Sequence, residues 1–174
     1  IEKKYGVPRQ ILLAIWGRES GFGTVKIPHD AFDVLATKAF MSSRKVFFQT
    51  EILAALQILE KGYMDRAGMK TSWAGALGQP QFMPSSYLKY AVDFDGDGRR
   101  DIWASEADTL ASIANYLVQF GWPKGRGWGA EATLPDNVSC ALEGPDQAKS
   151  GVEWAALGVA KTDGKPLAPK DMKS

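Results

Sequence analysis

The chain has 174 residues, of which 45% are hydrophobic and 24% charged, with a formal net charge of +1. That is the composition of an ordinary soluble globular protein, long enough to bury one substantial core. The scattered charge gives no footing for a nucleic-acid partner, and no apolar run approaches the roughly 20 residues needed to span a bilayer. The single Cys140 excludes an internal disulfide and any thiolate metal cluster, and the single His29 excludes a histidine-rich metal site. Chemistry is therefore left to carboxylates, amides, hydroxyls and aromatic rings. The chain opens at Ile1 in apparent mid-helix, as a mature or trimmed chain would, so the missing leader says nothing about compartment.

The first strong element is an apolar run from Val7 to Trp16 that continues into Gly17-Arg18-Glu19-Ser20-Gly21-Phe22-Gly23. Pro8 suits a first helical turn, and Leu12, Ile15, Trp16 and Glu19 fall at i, i+3, i+4 and i+7. Gly21 and Gly23 then end the helix. A carboxylate closing an apolar stripe is expected to be partly desolvated, with a raised pKa suited to donating a proton near neutral pH. The competing reading is a solvated Glu19 or one paired with a base.

Asp30 is placed to cap a second helix through Phe32, Leu35, Ala36 and Phe40, and His29 just before it is given no role. Ser42 or Ser43 is placed to cap a third, through Val46, Phe47, Ile52, Ala55, Leu56 and Leu59, with Gly62 as its stop. Arg44 and Lys45 sit in its first turn, where positive charge opposes the helix dipole. A ligand-facing role and a plain solvated pair both account for that.

The stretch from Thr71 to Tyr87 mixes small residues with Ser72, Gln79 and Gln81 beside Trp73, Phe82, Met83 and Tyr87. Stacking surface plus a few fixed amides is what a sugar cleft needs, and a tightly packed turn in the core accounts for the same composition.

Asp93-Phe94-Asp95-Gly96-Asp97-Gly98-Arg99-Arg100-Asp101 has the D-x-D-x-D-G pattern of a calcium loop. Asp93, Asp95, Asp97 and Asp101 stand at loop positions 1, 3, 5 and 9, and Arg99 offers a backbone carbonyl at 7. Ala104 occupies position 12, so Glu106 or Asp108 would have to complete the shell. Ca²⁺ is the expected ion, in a structural role, against a metal-free turn neutralised by Arg99 and Arg100. Ser105 with Asp108 reads as a capping box opening a helix through Leu110, Ile113, Leu117 and Phe120, which Gly121 ends.

Beyond this the composition shifts to Gly, Pro and charge. The division expected is a helical catalytic domain over 1–122, with the metal loop at 93–108, and a continuation over 123–174. In the latter Val138 to Leu142 and Trp154 to Val159 read as strands of a small sheet closing one side of a cleft.

From about Tyr5 to Gly125 the ordered motifs closely resemble the lytic murein transglycosylase B family. The most specific are the Glu19 turn, Ala76-Leu77-Gly78, Gln81-Phe82-Met83-Pro84-Ser85-Ser86-Tyr87, and Tyr90-Ala91-Val92-Asp93-Phe94. The resemblance implies a mainly α (α+β), lysozyme-like helical domain with an EF-hand-like calcium loop and a small, irregular or β-containing C-terminal part. It implies an enzyme of the bacterial periplasm or cell envelope, with lipid anchoring of the full-length protein left open. Its partner would be peptidoglycan glycan strands, and a monomer is expected. Glu19 falls on the family's catalytic acid. Ser72, Gln81, Phe82 and Met83 fall on cleft residues, and Tyr116 on an aromatic flanking the catalytic site. Arg44 and Lys45 fall on a basic pair facing the peptide-bearing part of the glycan, with Lys in place of the usual second Arg. Asp108 falls on the late calcium ligand. No cofactor is implied for the chemistry.

The chain departs from the family at Gln79-Pro80, where many relatives carry an aromatic and Gly, so a differently shaped cleft wall is expected. It also lacks a later cleft segment with Asn-Phe and Lys-Arg-Tyr-Asn-like residues, so the fold and Glu19 are expected with reduced activity.

Most glycosidases use two carboxylates, and no second acid here has a setting like that of Glu19. A single acid suffices where the substrate supplies the nucleophile, as in cleavage between N-acetylmuramic acid and N-acetylglucosamine with closure of a 1,6-anhydro ring. The alternatives are a water-using muramidase, a non-catalytic peptidoglycan-binding module, and a purely structural calcium-stabilised helical protein.

Overall fold

The computed structural model describes residues 1–125, 128–129, 131–165 and 167, and its chain divides into two compact units, Ile1–Lys124 and Gly125–Ser174. The first is helical. A short α1 (Glu2–Tyr5) precedes α2 (Arg9–Ser20), followed by α3 (Ala31–Met41), α4 (Lys45–Glu60), α5 (Pro84–Tyr90) and α6 (Glu106–Gln119). Two-residue strands β1 (His29–Asp30) and β2 (Lys70–Thr71) pair antiparallel, with His29 opposite Thr71 and Asp30 opposite Lys70. Bridges from Leu77 to Thr71 and to Phe82 extend this ladder into the turn before α5.

Two apolar clusters organise the unit. Helices α3, α4 and α5 close around Leu35, Phe48, Ile58, Met69, Leu77, Tyr87 and Ile102. Helices α1, α2 and α6 close around Val7, Leu12, Trp16, Ile113 and Ala114. Burying each of the larger side chains is worth about 1.5–3 kcal/mol, and these faces rather than helix propensity hold the short helices in place.

Helix ends follow local chemistry with some differences from expectation. Pro8 sits one position outside α2, with φ −59° and ψ 136°, so the helix begins at Arg9. Gly21 ends it in the left-handed region at φ 56°, as a C-terminal glycine should. Asp30 caps α3 by accepting from Phe32 and Asp33 N–H. Neither Ser42 nor Ser43 caps α4. Arg44 holds the cap position without a side-chain bond, and Ser42 Oγ instead accepts from Arg44 N–H at 3.0 Å. The capping box read at Ser105 and Asp108 is half present. Ser105 Oγ accepts from Asp108 N–H, but the Asp108 carboxylate is spent on Phe94 and Asp101 N–H, both at 2.8 Å.

In the second unit β3 (Ala132–Thr133) and β4 (Ala160–Lys161) pair antiparallel, so a small sheet is present. The residues read as strands are not in it. Cys140–Leu142 forms a 3₁₀ turn, and most of the Trp154–Val159 stretch belongs to helix α7 (Gly151–Ala156) and the turn after it. Ser150 and Glu153 form a full capping box at the start of α7, and that reciprocal pair of bonds outweighs the β-propensity of the apolar run. This unit encloses a cavity of about 620 Å³ lined by Trp128, Leu134, Val138, Leu142 and Trp154 among others. Among the described residues no helix is long and apolar enough to cross a membrane.

Candidate active site

The end of α2 is held from three sides. Ser20 is buried, its hydroxyl donating to Trp16 O and accepting from Gly23 N–H, both at 3.1 Å. Phe22 packs edge-on against Trp16, with ring centroids 5.4 Å apart, and only a glycine at position 17 leaves room for it. Phe22 itself has φ 59°, a strained setting for an aromatic residue.

This turn presents Glu19 at a cavity of about 290 Å³ lined by Ile15, Pro80, Gln81, Phe82, Met83, Ser86, Ile113, Tyr116 and Leu117. Gln81 is the second non-glycine residue with positive φ, at 54°, and its Nε2 donates to Gly78 O at 3.0 Å. One strained residue thus lines the cleft itself and another shapes the turn just after Glu19, a kind of strain that clusters at functional sites. Phe82 and Tyr116 face each other at 5.4 Å, and Tyr116 stacks on Phe120 at 4.5 Å. The cleft therefore carries an aromatic wall, an amide, and one acid among its lining residues.

Glu19 is exposed. The apolar stripe of α2 is real, with Leu12 and Trp16 buried, but it ends before the carboxylate, so the chain's own core does not supply the expected desolvation. Drying of that group is left to whatever fills the cleft. A second acid, buried elsewhere, does not compete with Glu19 for the cleft. Glu51 is nearly fully buried, and accepts from Ser85 N–H at 2.9 Å and Ser85 Oγ–H at 2.7 Å. Both of its oxygens are occupied capping α5 from a distance, and it does not line the cleft.

Five of the sequence-derived site residues meet here: Glu19, Gln81, Phe82, Met83 and Tyr116. Ser72, Arg44 and Lys45 do not line this cavity. Ser72 Oγ accepts from Ala76 N–H at 3.3 Å within its own turn. Arg44 and Lys45 are exposed, Arg44 lying over the exposed Phe47 ring and the buried Phe48 ring and Lys45 over the exposed Phe40 ring. Pro80 and Ser86 come from the stretch already read as cleft wall, but Ile15, Ile113 and Leu117 were not singled out as cleft residues from sequence. Their apolar character marks these three only as core, and the fold alone turns them toward Glu19.

The aspartate loop forms a separate cluster. Carboxylate oxygens of Asp93, Asp95, Asp97 and Asp108 lie within 4.8 Å of one another. Asp93 accepts from Gly96 and Gly98 N–H, Asp95 from Asp97 N–H and Ser105 Oγ–H, and Asp97 from Arg99 N–H. Burial pushes the Asp108 carboxyl above the usual carboxylate range, partly offset by the two N–H groups it accepts from. Asp101 stands apart from this group, its Oδ1 accepting from Trp103 and Ala104 N–H at 2.9 Å. Four hard oxygen donors converging on one point suit a divalent cation of the calcium type.

The helical unit, with one acid among the residues lining an aromatic- and amide-walled cleft, has a lysozyme-like fold. The chain belongs to the transglycosylase SLT domain family, whose sequence profile matches residues 1–174. It is 42% identical over 122 residues to membrane-bound lytic murein transglycosylase B of Escherichia coli, covering 70% of this chain and 34% of that protein. Its fold matches SltB3 of Pseudomonas aeruginosa in complex with NAG-NAM-pentapeptide at a TM-score of 0.90 and 42% identity, over 99% of this chain and 46% of that one. A second SltB3 structure, in complex with NAG-anhNAM-pentapeptide, matches at 0.89 and 43% over 96% and 44%. The Escherichia coli lytic transglycosylase Slt35 in complex with calcium matches at 0.83 and 34% over 99% and 54%. The chain thus spans about a third to a half of the length of these relatives.

Proposed function

We propose that this chain is the catalytic part of a lytic transglycosylase. It would cleave the β-1,4 bond between N-acetylmuramic acid and N-acetylglucosamine in peptidoglycan. The observation that carries this is Glu19, the one acid among the residues lining a cleft walled by Gln81, Phe82, Met83 and Tyr116. The relatives bound to a NAG-NAM and a NAG-anhNAM peptide support the same substrate and product class.

In this reading Glu19 protonates the glycosidic oxygen as the bond breaks. The muramic acid 2-acetamido group stabilises the positive charge left at C1. Glu19, now ionised, takes the proton from the same sugar's 6-hydroxyl as that oxygen closes onto C1. One proton is given and one recovered, and no water is consumed. A sugar filling the cleft excludes water from the exposed carboxyl at the moment of proton transfer. Phe82 and Tyr116 stack on the sugars and Gln81 bonds them. Ser72, whose oxygen accepts from Ala76 N–H, keeps its own proton to donate, and Arg44 and Lys45 meet peptide carboxylates at the outer edge.

Residues 1–122 carry this chemistry, and 123–174 continue the same catalytic region. Asp93, Asp95, Asp97 and Asp108 hold Ca²⁺ through carboxylate oxygens and Arg99 through its backbone carbonyl, with Asp101 completing the loop, and the ion fixes the chain leading into α6 without taking part in bond cleavage. The protein acts as a monomer in the periplasm or at the envelope.

The test is mass spectrometry of soluble products from purified peptidoglycan, with Glu19→Gln alongside. Anhydro-muropeptides, one water lighter than hydrolytic products and lost in a normally folded Glu19→Gln, are expected. Reducing-end products would move the nucleophile to water, and substantial turnover by Glu19→Gln would sink the role of that residue.

A further inference from the structure

Gln79 precedes two residues of the cleft wall, Pro80 and Gln81, yet its own side chain turns the other way and is buried. Its Oε1 accepts from the Trp16 indole N–H at 2.7 Å, and its Nε2 donates to Trp103 O at 2.9 Å. Its backbone N–H donates to Ile102 O at 2.8 Å. One residue therefore ties helix α2 to the segment that follows the aspartate loop. The turn after α2 rests on the same amide: a Cβ on Gly23 would lie 2.5 Å from Gln79 Oε1.

The chemistry of the two partners selects this side chain. An indole N–H can only donate, and a backbone carbonyl can only accept. A neutral amide serves both at once and is thereby fixed in orientation. A carboxylate of the same shape would satisfy Trp16 and set oxygen against oxygen at Trp103. An isosteric hydrocarbon would leave both groups without a partner in a buried site.

Trp16 lies three residues before Glu19, on the same face of the last helical turn. We propose that Gln79 is a positioning residue for Glu19, locking the end of α2 through Trp16 so that the carboxyl meets the cleft at a fixed place. This rests on the reading of Glu19 as the acid. It adds a residue that never touches substrate but governs the acid's placement. A misplacement of about 1 Å in such a group lowers turnover by on the order of 100-fold without weakening binding.

The experiment compares wild type with Gln79→Leu, Gln79→Glu, Trp16→Phe and the Gln79→Leu/Trp16→Phe double variant. Kinetics of anhydro-product release are measured well below each variant's Tm, and residue-level amide exchange is followed on the full chain. Gln79→Leu should lower kcat by about 10- to 100-fold with KM within about twofold, the signature of lost placement rather than lost binding. Exchange at Phe22, Gly23 and Val25 should quicken by about tenfold or more, with the Leu77–Phe82 amides unchanged. Trp16→Phe should reproduce the kcat loss, and the double variant should be no worse than the weaker single, because both break one link.

Full kcat with unchanged exchange in Gln79→Leu overturns the proposal. So do losses that multiply in the double variant, or exchange that quickens everywhere alike. Should Gln79→Leu fail to fold, Gln79→Glu decides: keeping the Trp16 bond, it must retain more turnover than Trp16→Phe. Should wild type release no anhydro product, the proposed function falls, and local exchange at Phe22, Gly23 and Val25 alone decides whether Gln79 holds the turn.

Discussion

Replacing Glu51 tests how the floor of the cleft is held. Helix α5 opens at Pro84 with no side-chain cap of its own, and Glu51 reaches across from α4 to accept from Ser85 N–H and Ser85 Oγ–H. The helix start so anchored carries Met83 and Ser86 into the cleft. Hydrogen bonds to a charged acceptor are each worth about 1.5–3 kcal/mol, and a carboxylate at a helix N-terminus adds about 0.5 kcal/mol. Ser85 is half-buried, so water recovers part of this when Glu51→Ala removes the acceptor. The net cost expected for Glu51→Ala is about 3 kcal/mol. At about 2.1 cal/mol/K of unfolding entropy per residue over Ile1–Lys124, that is a Tm lower by about 10 °C. Glu51→Gln keeps one acceptor oxygen and should cost about 1 kcal/mol. Urea unfolding followed by tryptophan fluorescence, with Tm by calorimetry, measures both. A Glu51→Ala stability within about 0.5 kcal/mol of wild type, or a Gln variant as costly as Ala, would refute the idea that the carboxylate caps α5.

Two further expectations follow from charged groups elsewhere. Calcium at about 100 times its dissociation constant should stabilise the protein by about 2.7 kcal/mol and raise Tm, and a chelator should reverse the gain. Asp108→Asn should abolish most of it, so an undiminished calcium response would remove Asp108 from the ligand set. The Arg66 guanidinium, hydrogen-bonded to Asp30, holds that carboxyl below the usual carboxylate range. A depressed folded pKa contributes stability above the unfolded pKa that is lost as pH falls through the folded one. Asp30→Asn keeps an N-cap for α3 but loses the charge. The Tm gap from wild type should be present at neutral pH and close below about pH 3.8. A pH-independent gap would mean that the charge pair contributes nothing.

Much of the molecule was legible before any fold was known, because its signals are local. Gly21 ends α2, Asp30 caps α3 and the aspartate spacing builds its own loop through bonds of two to five residues' reach. The 3.6-residue stripe through Leu12, Ile15 and Trp16 put Glu19 at the C-terminal end of a helix, where α2 carries it. Short range was also the limit. The apolar run after Trp154 reads as strand or helix until its Ser150–Glu153 box is weighed, and the Ser105–Asp108 box fails because Asp108 has better partners far along the chain.

The position of Glu19 at the end of α2, the helices that flank it and most of the aspartate loop are properties of residue order, since periodicity, glycine stops and turn chemistry act between near neighbours. The exposure of Glu19, the burial of Glu51 beneath α5, the placement of Arg44 and Lys45 away from the cavity and the Trp16–Gln79–Trp103 link belong to tertiary structure. The Glu51 and Gln79 bonds join residues 24 to 63 positions apart, the longest running from Trp16 to Gln79. No local pattern records which of many amides and carboxylates will meet at that range. Packing decides it, because the helices must bury both apolar clusters while pairing nearly all of the polar groups drawn in with them; among the side chains of the described residues only the Trp122 indole N–H is left buried without a partner.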